Sequence, residues 1–182
     1  MEQKDYNMEI VLALLKGKIH LREMAKRIGT NPMMVIRKMR LLAKGNIVDF
    51  AQEGKNKAYF LKTTAEAKAY VSMAEKYALL AALRKYPELR GITDKINADK
   101  RIELAILFGS YAKGIPKKDS DIDIYIETED SNIKKELQFL DSKLSIKIGK
   151  YNKDNLLIRE IDKNHVIIKG VEYYYEKSKF FG

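Results

Sequence analysis

The sequence predicts an α+β chain of two small units joined by a connecting helix, on three observations. Residues 7–44 hold three stretches of helical apolar spacing, followed by an alternating hairpin pattern that runs to Leu61. Residues 65–86 make one long helical pattern, and from Ile102 onward short apolar strands alternate with helices. These place a first unit at 1–63, the connector at 64–86 and a small mixed-sheet unit at 87–182. With 182 residues and 46% hydrophobic content, the chain has material for two cores and is not a disordered segment.

The N-terminal elements follow from local signals. Asn7 to Leu15 has helical spacing, and a second helix runs from Leu21 to Ile28 and stops at Gly29. Thr30-Asn31-Pro32 supplies a cap and a proline at the first position of a third helix, Pro32 to Lys44, which closes at Gly45. At about 100° per residue, Val35, Ile36, Met39, Leu42 and Ala43 form one apolar stripe, while Met33, Arg37, Arg40 and Lys44 fall in a narrow opposite sector. Ile47 to Gln52 and Lys57 to Leu61 alternate as hairpin strands around Glu53-Gly54-Lys55-Asn56, with Lys55 and Lys57 at the tip.

That order of three helices and a basic hairpin resembles the winged helix-turn-helix DNA-binding domains of prokaryotic regulators across residues 5–62. The resemblance implies duplex DNA as partner, with the third helix in the major groove and the wing along the backbone. Met33, Arg37, Arg40, Lys44, Lys55 and Lys57 are then the candidate DNA-binding residues, the lysines on phosphates and the two arginines at base edges. The alternative is a helical module used for protein contacts.

Charge points the same way. Of the formal +10, residues 1–90 carry 18 Lys+Arg against 9 Asp+Glu, or +9, and residues 91–182 carry 17 against 16, or +1. A basic half attracts polyanions, and a lysine-rich soluble surface is the plainer reading. The absence of cysteine excludes disulfides and thiolate metal sites. Met-Glu-Gln-Lys-Asp-Tyr lacks a signal-peptide pattern, and no apolar run approaches the ~20 residues that span a bilayer, so a cytoplasmic protein without membrane contact is expected.

The connector, Ala65 to Tyr86, ends before Pro87 and carries Tyr70, Met73, Ala74, Tyr77, Leu80, Ala81 and Leu83 in helical periodicity. Such a stripe packs on the units it joins, or forms a two-fold helix–helix interface in a homodimer.

The chemistry is concentrated further on. A strand from Ile102 to Phe108 delivers Gly109 and Ser110 to a turn, and a second strand then presents Asp121-Ile122-Asp123-Ile124. Side chains alternate along a strand, so Asp121 and Asp123 share a face roughly 6.6 Å apart, with Ile122, Ile124 and Ile126 turned to the core. Two carboxylates so placed repel unless a cation lies between them, and Mg2+ or Mn2+ suits carboxylate oxygens together with phosphates. Gly109 lets the backbone approach a phosphate, and a helix starting there would aim free amides and the Ser110 hydroxyl at the anion. An edge strand with one solvated face is the plain alternative.

Leu107-Phe108-Gly109-Ser110-Tyr111-Ala112-Lys113-Gly114 with Ser120-Asp121-Ile122-Asp123-Ile124 resembles the signature of minimal nucleotidyltransferases in the DNA polymerase beta superfamily. The likeness extends from Pro87 to Tyr174: a lead-in helix, the signature, a helix at 132–140, a strand at 144–148, a helix at 154–163 and an apolar segment at 166–170. It implies that Gly109, Ser110 and Lys113 bind a nucleoside triphosphate and that Asp121 and Asp123 are catalytic metal ligands. It also implies a magnesium-dependent transfer of a nucleoside monophosphate to a macromolecular hydroxyl, on a protein acceptor or a toxin partner.

One departure stands out. The family's complete members carry a third carboxylate on the next strand, and Ser145 falls there, with Lys147 next on the same face. Glu127, roughly 13 Å beyond Asp123, is too far to substitute, and Asp141 would do so only with shifted boundaries. A catalytically weak, nucleotide-binding DNA regulator is therefore the competing expectation. His20 and His165 read as surface or boundary residues, and Tyr173-Tyr174-Tyr175 as a terminal strand rather than a stacking platform.

Overall fold

The structure, a computed structural model, describes residues 4–182. The chain divides into two compact units between Tyr77 and Ala78.

In the first unit, α1 (Tyr6–Leu14), β1 (Ile19–His20), α2 (Leu21–Ile28) and α3 (Pro32–Lys44) precede a hairpin of β2 (Val48–Glu53) and β3 (Asn56–Leu61). The helix starts are dictated locally. Asp5 accepts the amides of Asn7 and Met8, Asn31 accepts that of Met34, and Pro32 occupies a first-turn site where no donor is missed. The strands form an antiparallel sheet in the order β1-β3-β2. At the wing tip Glu53 pairs with Asn56, and Gly54 at φ +58° fills the first loop position of the tight turn. Helix, strand, two helices and a wing is the winged-helix arrangement.

Two readings of this unit need correcting. The short strand β1 escaped the sequence because two residues carry no periodicity; it exists through its pairing of Ile19 with Tyr59 and His20 with Ala58. On α3 the buried stripe is Val35, Met39 and Leu42, whereas Ile36 is half-buried and Ala43 is exposed. The core-facing sector is narrower than apolar character alone suggests.

Helix α4 (Ala65–Lys85) begins on a Thr64 cap, whose hydroxyl accepts the Ala67 amide. Its buried residues are Ala67, Val71, Ala74, Glu75, Leu79 and Ala82. Of the stripe expected from sequence, Ala74 is buried, Tyr70, Tyr77 and Leu83 are half-buried, with Leu83 packed against the second unit's core, and Met73, Leu80 and Ala81 are exposed. With apolar residues around much of its circumference, α4 gave the sequence reading no unique face.

The second unit contains the end of α4 and then α5 (Leu89–Ala98), β4 (Leu104–Phe108), α6 (Gly109–Ala112), β5 (Ile122–Glu127), α7 (Asn132–Gln138), β6 (Leu144–Ile148), α8 (Leu156–Lys163), β7 (Val166–Lys169) and α9 (Val171–Lys177). Its sheet runs β6-β5-β4-β7, with β4 antiparallel to both β5 and β7, and β5 parallel to β6. Ile122, Ile124 and Ile126 join Ile92, Ile96, Ile133, Leu137 and Ile146 in one buried cluster. Ile106, Phe108, Tyr125 and Ile167, which alternate with that set, are buried too, so both faces of the sheet are covered. Tyr173-Tyr174-Tyr175 lies in helix α9, not in a strand: Tyr174 and Tyr175 are buried, and the Tyr174 hydroxyl donates to Asp162 at 2.7 Å. Tyrosine's preference for strands gives way here to tertiary packing.

An arginine ties this unit together. Arg101 pairs with Asp99 at 2.6 Å, Asp130 at 2.8 Å and Glu136 at 2.7 Å. Its hydrogen bonds hold the Asp99 carboxyl down at about 2, and Glu136 is lowered first by the same guanidinium. A carboxylate depressed in the folded state stabilises it above the ordinary range near ~4 and loses that contribution as pH falls through the folded value. Thermal melting should therefore drop between about pH 4 and pH 2, and more shallowly for Arg101→Met. Parallel pH profiles for the two proteins would contradict the assignment.

Candidate functional site

The site begins where β4 ends. Phe108 is still extended, Gly109 turns at φ +69°, and the single turn α6 follows at once. Across the sheet Phe108 pairs with Asp123, and on the other side Asp123 pairs with Ser145 of β6. A Cβ built on Gly109 would lie 2.4 Å from Asp123 Oδ2 and 3.2 Å from its Cγ. Only glycine admits the carboxylate this close to the turn. Asp121 sits one residue ahead of β5 and is exposed, whereas Asp123 is half-buried.

The electrostatics of the pair follow from this placement. Burial pushes the Asp123 carboxyl above its ordinary value and Asp121 adds to that, while the Ser145 hydroxyl donated to it and the Lys147 ammonium pull the other way. A cation between the carboxylates would relieve both unfavourable contributions. Ser110, half-buried, follows Gly109, and its carbonyl accepts the Ile115 amide at 3.0 Å.

Lys113 caps the end of α6, with its ammonium 2.9 Å from Glu160 on α8. Glu160 also lies 3.6 Å from Lys163, and Lys113 is the first cause of its lowered carboxyl. Glu160 was missed by sequence reasoning; it lies 47 residues beyond Lys113, and nothing local marks it.

The register settles which residue faces Asp123 from β6: it is Ser145. Asp141 precedes that strand, and its carboxylate accepts the Lys143 amide at 2.8 Å. Glu127, only 6% exposed, lies at the other end of β5. There it accepts the Tyr173 hydroxyl at 3.1 Å and the Tyr151 amide at 3.2 Å. Among the described residues no cluster of three or more His, Asp or Glu side chains is arranged to hold a metal. With Ser145 facing Asp123, the strand next to it brings no third carboxylate to Asp121 and Asp123.

In the first unit, Met33 is 72% exposed, and Arg37, Arg40, Lys44, Lys55 and Lys57 are also exposed. Arg37, Arg40 and Lys44 line a shallow groove with Leu41. The Lys57 ammonium lies 3.8 Å above the Phe50 ring, which steadies the wing's basic side chain. His20 bridges the wing, with Nδ1 3.1 Å from the Lys57 carbonyl and Nε2 3.3 Å from Glu53. His165 Nδ1 lies 3.0 Å from the Ile161 carbonyl.

A winged helix and a mixed-sheet unit carrying Gly-Ser and Asp-x-Asp define a two-part architecture. Residues 90–172, within the C-terminal unit, match the family model for Polymerase beta, Nucleotidyltransferase. Among solved structures, the transcriptional repressor BigR from Xylella fastidiosa is similar at 18% identity and a TM-score of 0.36, over 39% of this chain and 70% of that one. The adhesin competence repressor AdcR from Streptococcus pyogenes is similar at 16% identity and a TM-score of 0.37, over 52% and 76%. No curated protein matches the chain. No helix among the described residues is long and apolar enough to cross a membrane.

The Gly109 geometry can be tested against a neutral glycine. Gly109→Ala should destabilise by at least about 1–2 kcal/mol, from left-handed backbone strain, with the clash on Asp123 added. Gly91→Ala, on α5 with nothing within 4 Å, should instead stabilise by about 0.5–1 kcal/mol. Equal denaturation midpoints for the two variants would remove the constraint claimed at Gly109.

Proposed function

We propose that this protein is a DNA-binding regulator whose nucleotidyltransferase domain binds a metal-complexed nucleoside triphosphate and transfers its nucleotide slowly or not at all. The approach of Asp123 to Gly109 supports the binding half of this reading. Gly109 and Ser110 would receive the phosphates, Lys113 would add positive charge once released from Glu160, and Asp121 and Asp123 would hold Mg2+ or Mn2+. When bound, the metal supplies charge neutralisation at the phosphates.

The observation that carries the second half is the pairing of Asp123 with Ser145. Activating an acceptor hydroxyl calls for a general base within hydrogen-bond reach, and the resemblance implies a carboxylate at this position. Ser145, the residue that faces Asp123, has no negative charge to offer.

A second reading keeps full transfer. The acceptor would be a macromolecular hydroxyl, pyrophosphate would leave, and positioning alone would supply the rate. The retained Gly-Ser turn and carboxylate pair favour it. Incubation with labelled triphosphates and Mg2+ or Mn2+ separates the two. The expected result is metal-dependent binding, abolished by Asp121→Ala/Asp123→Ala, with little label transferred and more transferred by Ser145→Asp. Rapid labelling of a macromolecule by the natural protein would establish the second reading, and absence of binding would end both.

DNA binding rests on the exposed basic sector of α3, the wing lysines and the +9 charge of residues 1–90, given by 18 Lys+Arg against 9 Asp+Glu. Affinity for duplex DNA should fall steeply with salt, by about 0.9 logarithmic units per phosphate contact for each tenfold rise in salt. Removing one phosphate-contacting lysine, Lys55 or Lys57, should reduce the slope by about one contact. Affinity that hardly changes between roughly 50 and 200 mM salt is incompatible with phosphate contacts and would favour a protein-docking role.

A further inference from the structure

The strand beside Asp123 carries more than a missing carboxylate. Strands β5 and β6 run parallel, with Asp123 opposite Ser145 and Tyr125 opposite Lys147. Leu144 and Ile146 are buried with Ile122 and Ile124, so Ser145 and Lys147 share the opposite face with Asp123. Lys147 stands diagonally across from Asp123, a placement of ~7–8 Å between backbones that a long side chain spans. It is exposed, and among the described residues no carboxylate forms an ion pair with it.

We infer that this domain takes its nucleoside triphosphate with one divalent cation, seated between Asp121 and Asp123, and that the Lys147 ammonium supplies the positive charge a second cation would bring. The inference rests on the nucleotide-binding reading above and deepens it. Two dications roughly 3.5–4 Å apart repel each other and call for several anionic ligands close by. This site offers two carboxylates, a neutral hydroxyl and an ammonium. The hydroxyl is a weak ligand for a hard dication, and the ammonium repels a second one while attracting phosphate oxygens. Lys147 is thus a phosphate-binding and charge-setting residue in place of a metal.

Metal count tests this without reference to turnover. The full chain is saturated with α,β-methylene triphosphates of the four common nucleosides, which cannot be cleaved at the α-phosphorus. Bound Mn2+ is then counted from the loss of the free-ion electron paramagnetic signal. One Mn2+ per bound triphosphate is expected. At saturating Mn2+, Lys147→Ala should weaken triphosphate binding on the order of tenfold, the size of one charge-assisted contact, and Lys147→Arg should retain most of it. Two Mn2+ per triphosphate in the natural protein, or undiminished binding by Lys147→Ala, overturns the inference while leaving nucleotide binding in place. If the natural chain binds no triphosphate, or Asp121→Ala/Asp123→Ala binds as tightly, the underlying reading fails and takes the inference with it.

Discussion

The pairing of Phe108 with Asp123 fixes the geometry on which the C-terminal unit's chemistry depends, because it brings a carboxylate against a turn that only a residue without a side chain can make. The register in turn depends on burial. Shifting β5 by one residue would carry Ile122, Ile124 and Ile126 out of the cluster they share with α5 and α7, and would put Asp123 and Glu127 into it. The hydrophobic core thus positions the carboxylate, and the turn receives it. Neither Gly109 nor Asp123 would make a site without the three isoleucines between and beyond the acidic residues.

The same register works against a complete transferase. Parallel pairing with β6 offers Asp123 one neighbour on its own face, and that neighbour is Ser145. Since β6 is at the edge of the sheet, no further strand can bring a carboxylate from that side. The substitution also alters the charge of the site: a neutral hydroxyl and an ammonium line the strand where the resemblance implies an anion. Positive charge built into the protein can stabilise phosphate at the ground state, but it cannot accept a proton from an acceptor hydroxyl. The proposed reading therefore separates binding from turnover in this domain.

Much of this was legible in the sequence wherever a local signal and a periodicity agreed. Asn31-Pro32 set the start of α3, Gly29 the end of α2, and the alternation from Leu144 to Ile148 gave β6 and its serine. Gly109-Ser110 and Asp121-x-Asp123 were visible because a strand's period of two and a glycine turn leave marks at short range. What escaped depends on distant contacts. Strand β1 exists only through β3, and Glu160 meets Lys113 only after α8 docks. On α4 apolar residues surround much of the helix, and the tyrosine run near the C-terminus has a strand's propensity in a helix's packing.

Polar satisfaction explains why one carboxylate of β5 rather than another is chemically available. Asp123 and Glu127 project from the same face of the same strand, four residues apart. Glu127 is the more buried, yet its oxygens receive a tyrosine hydroxyl and a backbone amide, and Lys177 lies 3.9 Å away. A buried carboxylate so surrounded is neutralised by its own fold and has no need of a ligand. Asp123 has a single serine hydroxyl, a second carboxylate nearby and a backbone turn pressed close. Burial raises the cost of its charge without supplying the donors that would offset it. Under the nucleotide-binding reading proposed above, an external cation would meet that deficit, and the phosphates it brings would meet Gly109 and Ser110 beside the same carboxylate. The imbalance between these two acidic residues, more than the presence of either, makes one end of β5 a candidate site and the other a structural junction.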